Sequence, residues 1–251
     1  KKIIKLLYFL NKMDLPTDIQ HQQMGYDRTA AMFSPDGHLI QAEYAEKTVR
    51  LGSSSIAMVC SDGVFILADK RVEDKLIVPK STTKVHEVDE HMIASVAGIL
   101  SDALILIEKA QLISQQHRVT YDSAIEPELV IKEIANIKQQ FTQYGGARPF
   151  GVSFMLAGLN GKKPEVYTSD VTGNYYAYFA NAIGEGDEKI KELLREKYTH
   201  DLTIKKGVKL ALEIFEQVQK EKFKISKFEL AFIKSDSGKI EKVEGAKIKE
   251  L

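Results

Sequence analysis

Residues 26–45 gather side chains that can share hydrogen bonds within one short stretch. It opens with Tyr26-Asp27-Arg28, is broken by Ser34-Pro35-Asp36-Gly37, and continues as Leu39-Ile40-Gln41-Ala42-Glu43-Tyr44-Ala45. Two phenols and a carboxylate can exchange hydrogen bonds, and Pro35 presets a reverse turn beside them. Other chemistries find less support. The six histidines, at 21, 38, 86, 91, 117 and 200, show no H-E-x-x-H or paired spacing, so no metal site is expected. His86 and His91 flank a hairpin and read as surface residues. Cys60 is the only cysteine, which excludes an internal disulfide framework and a four-cysteine zinc site. It lies in an apolar run and reads as an inert strand thiol. Gly184-Glu185-Gly186 precedes a helix and has the outline of an anion cradle, but without a Rossmann context it reads as a strand–helix turn. No cofactor is expected.

The elements that must position these groups follow from pattern. The Pro-Asp-Gly turn leads straight into an amphipathic helix carrying Leu39, Ile40, Tyr44, Val49 and Leu51. Residues 54–59 and 64–68 read as strands joined by the Asp62-Gly63 turn, and 85–88 and 91–96 as a second hairpin around Asp89-Glu90. After Ala97-Gly98, Ser101 or Asp102 caps a helix of about fifteen residues. A second helix starts at Pro127, runs to Phe141 and ends before Gly145-Gly146. Strands are expected at 152–159, 165–168 and 175–180, helices near 185–198 and 204–221, and strands at 228–234 and 240–243. Runs of strands alternating with paired helices point to antiparallel sheets covered by helices, an α+β class.

The chain has 251 residues and a 44% hydrophobic composition, enough for one large domain or two small ones. Its 35 basic residues balance 35 acidic ones, so whole-molecule attraction to nucleic acid or an anionic membrane is not supported. The opening Lys1-Lys2-Ile3-Ile4-Lys5-Leu6-Leu7-Tyr8-Phe9-Leu10 has too short an apolar run to span a bilayer, and no membrane anchor is expected. A single cysteine suits a reducing, cytoplasmic compartment. Residues 1–23 read as an N-terminal arm or extension of which no order is required, 24–245 as one domain, and 246–251 as a charged tail.

Taken whole, the string from Tyr26 to Ala45 resembles the N-terminal signature of proteasome α-type subunits, Y-D-R…F-S-P-[DE]-G-x-L-x-Q-[VA]-E-Y-A. The resemblance extends over nearly all of 24–245. It implies a four-layer αββα sandwich, the fold of N-terminal-nucleophile hydrolases, with two stacked antiparallel sheets between helix layers. It further implies a non-catalytic member of a seven-membered outer ring, stacked on catalytic β subunits, gating the entry of unfolded protein substrates.

Three segments carry the family's features residue by residue. The gate maps onto Tyr26, Asp27, Arg28, Pro35 and Tyr44. A pocket for the C-terminal carboxylate of an AAA+ ATPase regulator maps onto Lys84, with Gly52, Gly98 and Ile99 as its wall. An ammonium on a flexible stem suits a carboxylate, and glycines admit a peptide backbone. Here the sequence departs from the commoner Ser-Ile-Glu-Lys at Thr82 and Thr83. The pore constriction maps onto Tyr144, Gly145, Gly146 and Ala147, within a loop resembling the archaeal T-Q-x-G-G-x-R-P-[FY]-G; Arg148 is an anchor or a functional group. That loop favours a homomeric ring of the archaeal type.

The resemblance also sets Ser53 where an inner-ring nucleophile would lie, with Asp69 and Lys84 as supporting carboxylate and lysine. Residues 1–52 precede Ser53, so its nitrogen is a peptide amide and cannot act as the base such a nucleophile needs. No catalytic residue is expected. Two alternatives stay open: a self-processing β-type hydrolase, and a stand-alone interaction protein of the same fold.

Overall fold

The computed structural model describes Gly25, Arg28, Thr29 and residues 31–71 and 76–250, the side chains of residues 79 and 80 excepted. Helix α1 spans Ile40–Leu51. Strands β1 (Ser55–Cys60), β2 (Gly63–Asp69), β3 (Val85–Asp89) and β4 (Met92–Gly98) follow, then helices α2 (Leu100–Tyr121) and α3 (Pro127–Phe141). Strands β5 (Val152–Asn160), β6 (Lys163–Ser169), β7 (Tyr175–Tyr178) and β8 (Ala180–Ile183) lead to helices α4 (Asp187–Lys197) and α5 (Ile204–Gln219). Strands β9 (Phe228–Lys234) and β10 (Ile240–Glu244) complete the sheets.

Two five-stranded sheets result, ordered β10-β9-β2-β1-β8 and β3-β4-β5-β6-β7, with antiparallel pairing throughout. Period-2 alternation sends one face of each strand between the sheets and the other beneath helices. On β1, Ala57 enters the inter-sheet core with Ile66, Ile93, Met155 and Ile233, whereas Ile56 and Met58 pack with Val208, Ala211 and Phe215 of α5. Ala94, Val96 and Phe154 face Leu106, Ile107, Ile131 and Ile134 of α2 and α3. The expected four-layer sandwich is therefore present. Phe65, Phe154, Phe215, Phe228 and Phe232 are fully buried, and truncating one such ring to alanine commonly costs about 3–5 kcal/mol.

Where the structure departs from the pattern of the sequence, the causes are physical. The stretch 175–180 is two strands, because the chain changes sheets at Phe179: β7 pairs with β6 and β8 with β1. Alternation alone continues across such a crossing. Helix α2 has 22 residues, beyond the apolar stripe, because Arg118 in its last turn donates to Asp89 at 2.7 Å and pairs with Glu90 at 3.2 Å. It starts after Ile99, not at a Ser101 or Asp102 cap, because the Asp102 carboxylate is engaged elsewhere. His86 and His91 are half-buried, not surface groups: His91 Nε2 donates to Ile125 O at 2.9 Å. The segment read as a charged tail forms the 3-10 turn Gly245–Glu250, whose Ile248 is buried against the α5 side of the core. The arm at residues 1–23 lies outside the described residues.

Candidate functional site

The turn before α1 is closed by backbone bonds from Gly37 N to Ser34 O (2.9 Å) and from Ser34 N to His38 O (2.8 Å), and it presents Pro35 to solvent. The buried Ser34 hydroxyl accepts from His38 N at 3.1 Å, which fixes the entry angle of the helix. Tyr44 sits in the first half of α1, half-buried, with the Lys47 ammonium 5.3 Å from its ring centroid. Arg28 N donates to Gly25 O at 3.1 Å. Tyr26 and Asp27 lie outside the described residues, so the gate set is described only at Arg28, Pro35 and Tyr44.

At its other end α1 meets the second predicted set. Gly52 caps the helix, donating to Val49 O at 2.9 Å, and accepts from Glu185 N at 2.8 Å. Gly98 ends β4 with φ +126, and any Cβ there would fall 1.9 Å from Gly151 O. Ile99 follows, with its N–H on Gly151 O at 3.0 Å and its side chain over Gly151. The Lys84 ammonium reaches the same strand end, donating to Val96 O at 2.5 Å. The structure thus brings Lys84, Gly52, Gly98 and Ile99 to one corner where α1, β3 and β4 converge. Burial first and then the Arg71 charge lower the Lys84 amine, and with Asp69 partly offsetting both it comes to about 8.

A group that the sequence did not single out holds this corner. Glu229 of β9 is buried, and its Oε2 accepts from Lys84 N at 2.8 Å and Val85 N at 3.4 Å. Burial raises its carboxyl against those bonds and the nearby Lys70 ammonium. A lone glutamate inside the apolar run 228–233 is the signal that marks it: a buried carboxylate requires partners.

The serine-based set comes together only as scaffold. Ser54 Oγ donates to Glu185 O at 2.6 Å, and Asp69 N donates to Ser54 O at 2.9 Å, so the chain around Ser53 continues β1. Asp69 Oδ1 accepts from Arg71 N and Oδ2 from Gln219 Nε2, each at 2.9 Å. Both carboxylate oxygens and the Lys84 ammonium therefore bind protein groups other than a serine hydroxyl. Gly184-Glu185-Gly186 is the β8–α4 turn, with Gly186 as N-cap at φ +71.

The third set forms an exposed loop. Ala147 N donates to Tyr144 O at 3.3 Å across Gly145-Gly146, and Tyr144 projects with 60% of its surface exposed. Arg148 anchors this loop: Nη1 donates to Asp102 Oδ2 at 2.6 Å and Nη2 to Oδ1 at 2.7 Å. Gly151 N adds a third bond to Asp102 at 3.1 Å, and the Arg148 fork is the main cause holding the Asp102 carboxyl below its ordinary range. Beside the loop, a cleft of about 490 Å³ is shared with Arg28, Thr29, Met32 and Gln41 of the N-terminal segment. Among the described residues no group of His, Cys, Asp and Glu could hold a metal ion, and no helix is long and apolar enough to cross a membrane.

Comparison with known proteins gives the family of the chain. The family model described as "Proteasome subunit" matches residues 49–233, and the model of the N-terminal signature of A-type proteasome subunits matches residues 26–47. The proteasome alpha subunit of Methanococcus maripaludis strain C5 is 38% identical over 228 residues, covering 90% of this chain and 87% of its own length. Its namesake from Pyrococcus abyssi is 41% identical over 190 residues, 76% of this chain and 73% of its own. That of Methanopyrus kandleri is 36% identical over 233 residues, 93% of this chain and 94% of its own. With its sandwich, its α-type signature and these relatives, the chain belongs to the proteasome subunit family, as an α-type member that acts in protein degradation.

Proposed function

We propose that this chain forms the non-catalytic outer ring of a cytoplasmic proteasome core particle. In that ring it packs beside neighbouring α subunits, seven to a ring, and stacks on β subunits that carry the catalytic threonine. It gates the entry of unfolded protein substrates and docks the C-terminal tail of an AAA+ ATPase regulator. Neither nucleic acid nor a membrane is a partner, and no cofactor takes part.

The observation that carries this reading is the placement of α1. One helix joins the signature turn at Ser34–Gly37, bearing Pro35 and followed by Tyr44, to the Gly52 corner that holds Lys84. A short rigid rod between a carboxylate-binding corner and a gate segment suits a ring member in which docking biases entry. The β-type alternative needs a free amine at Ser53, whereas Ser53 here follows Gly52 in a continuous chain whose carbonyls are bonded on both sides.

The test is a particle reconstituted with its β partner. Removing residues 1–35 takes away the arm together with Tyr26, Asp27 and Pro35 and should raise degradation of an unfolded protein without activator. Ser53→Ala should leave peptide hydrolysis unchanged. Loss of hydrolysis in Ser53→Ala, with the β nucleophile intact, would contradict the reading.

A further inference from the structure

At the C-terminal end of α1 lies a cleft of about 480 Å³, bounded also by the end of β2, the β8–α4 turn and the end of α5. Two internal ion pairs line it, Arg71 with Glu185 and, at 3.0 Å, Arg50 with Glu188. Arg71 is the more constrained cation. Its backbone is left-handed, φ +60, a conformation a non-glycine residue keeps only where its contacts demand it. Those contacts are specific. Arg71 N donates to Asp69 Oδ1, and Nη1 donates to Leu51 O at 2.7 Å, the residue before Gly52. The second guanidinium nitrogen pairs with the Glu185 carboxylate, while Glu185 N holds Gly52 O at 2.8 Å.

Arg71 therefore touches the residue next to the glycine wall, and its charge acts on the Lys84 amine. Two cations of different type serve one corner. A lysine attracts a carboxylate as a point charge, whereas Arg71, with Nη1 held on Leu51 O, offers it the directed N–H groups of Nη2. The present carboxylate partner of Nη2 is weakly committed: the Arg71 and Glu185 side chains are 41% and 58% exposed. Ion pairs this exposed contribute little to stability, so exchanging one carboxylate for another costs little.

We infer that Arg71 is a second carboxylate-binding residue of the docking corner, occupied in the undocked chain by Glu185 as an internal competitor. The ligand is the terminal carboxylate of a docking peptide tail, so the inference rests on the docking reading of Lys84. Docking then exchanges one carboxylate for another on Arg71 and releases Glu185 to solvent. A tail without that carboxylate has nothing with which to displace it. The arrangement selects for a free C-terminus.

The experiment uses the particle assembled with its β partner. The probe is a labelled heptapeptide copying the C-terminus of the AAA+ regulatory ATPase of the same organism, alongside its amidated twin. Fluorescence anisotropy should show Glu185→Gln binding the free-carboxylate peptide about threefold to fivefold more tightly, the scale on which exposed pairs act, with the amidated twin unchanged. Arg71→Gln should weaken the same peptide about tenfold, and the double variant should match Arg71→Gln alone. Unchanged or weaker binding in Glu185→Gln overturns the inference, and that variant decides the matter if Arg71→Gln does not assemble. Lys84→Ala separates the two readings. If it binds as well as the parent, the docking reading itself fails; if it loses binding while Glu185→Gln changes nothing, only the role of Arg71 and Glu185 fails.

Discussion

Gly52 and Gly98 meet backbone to backbone: a Cβ placed on Gly52 would lie 2.4 Å from Gly98 N and 3.1 Å from the Ala97 carbonyl carbon. The end of α1 is thereby pressed onto the end of β4, beside the Lys84 ammonium. Gly52 has φ −69, which any residue adopts, so its requirement is contact alone. Gly52→Ala should lift α1 from β4 and weaken tail docking more than it lowers the melting temperature.

Gly98→Ala should behave differently. It combines φ +126 with a clash on Gly151 O, and each kind of strain commonly costs about 1–3 kcal/mol. A fall in thermal midpoint larger than that of Gly52→Ala is expected in calorimetry of the two purified variants.

Docking through Lys84 should follow the protonation of its amine. Only the ammonium attracts a carboxylate, and burial brings this amine to about 8 from the ordinary lysine value of about 10.4. Affinity for a free-carboxylate tail should be full below about pH 7 and decline as pH rises through about 8. A titration of peptide affinity from about pH 6.5 to 9.5 checks the sign; affinity that holds flat across that range would contradict it.

Asp102 and Arg148 should act on the loop more than on the core. Asp102→Ala leaves Gly151 N without its acceptor and frees the Arg148 fork, and an orphaned buried donor costs about 1–3 kcal/mol. Hydrogen exchange should rise at residues 143–148, with little change in the strands of either sheet.

Lys138 supplies a pH dependence of the fold itself. Its ammonium is fully buried on α3, donating to Ser169 O at 3.1 Å, Ser169 Oγ at 3.3 Å and Asp170 O at 3.0 Å. Burial lowers it to about 7. The unfolded chain then binds more protons than the native one between about pH 7 and 10, so this residue's contribution to stability rises with pH across that window. Denaturation of Lys138→Met against the parent at about pH 7 and about pH 9.5 should show the parent gaining relative stability at the higher pH.

Much of this architecture was legible in the sequence because local signals and tertiary demands agreed. Pro127 at the first turn and the apolar stripe through Ile131 and Ile134 placed α3 from Pro127 to Phe141, as observed. The signature turn and α1 were equally plain. What was hidden depends on partners distant in sequence. Phe179 changes sheets without any break in alternation, and Asp102 looks like a cap until Arg148, 46 residues on, claims it. Lys138 could have been found: it follows Ile131 and Ile134 at helical spacing, on the buried face. The corner set was named from family resemblance, yet the reason for its glycines, the Gly52–Gly98 contact, needed the packing of the end of α1 on the end of β4.

Electron microscopy of the purified chain, alone and mixed with its β partner, tests the central claim most directly. A ring-forming α-type chain should give seven-fold rings by itself and stacked four-ring cylinders with the partner. Monomers or small open oligomers in both samples would contradict the account.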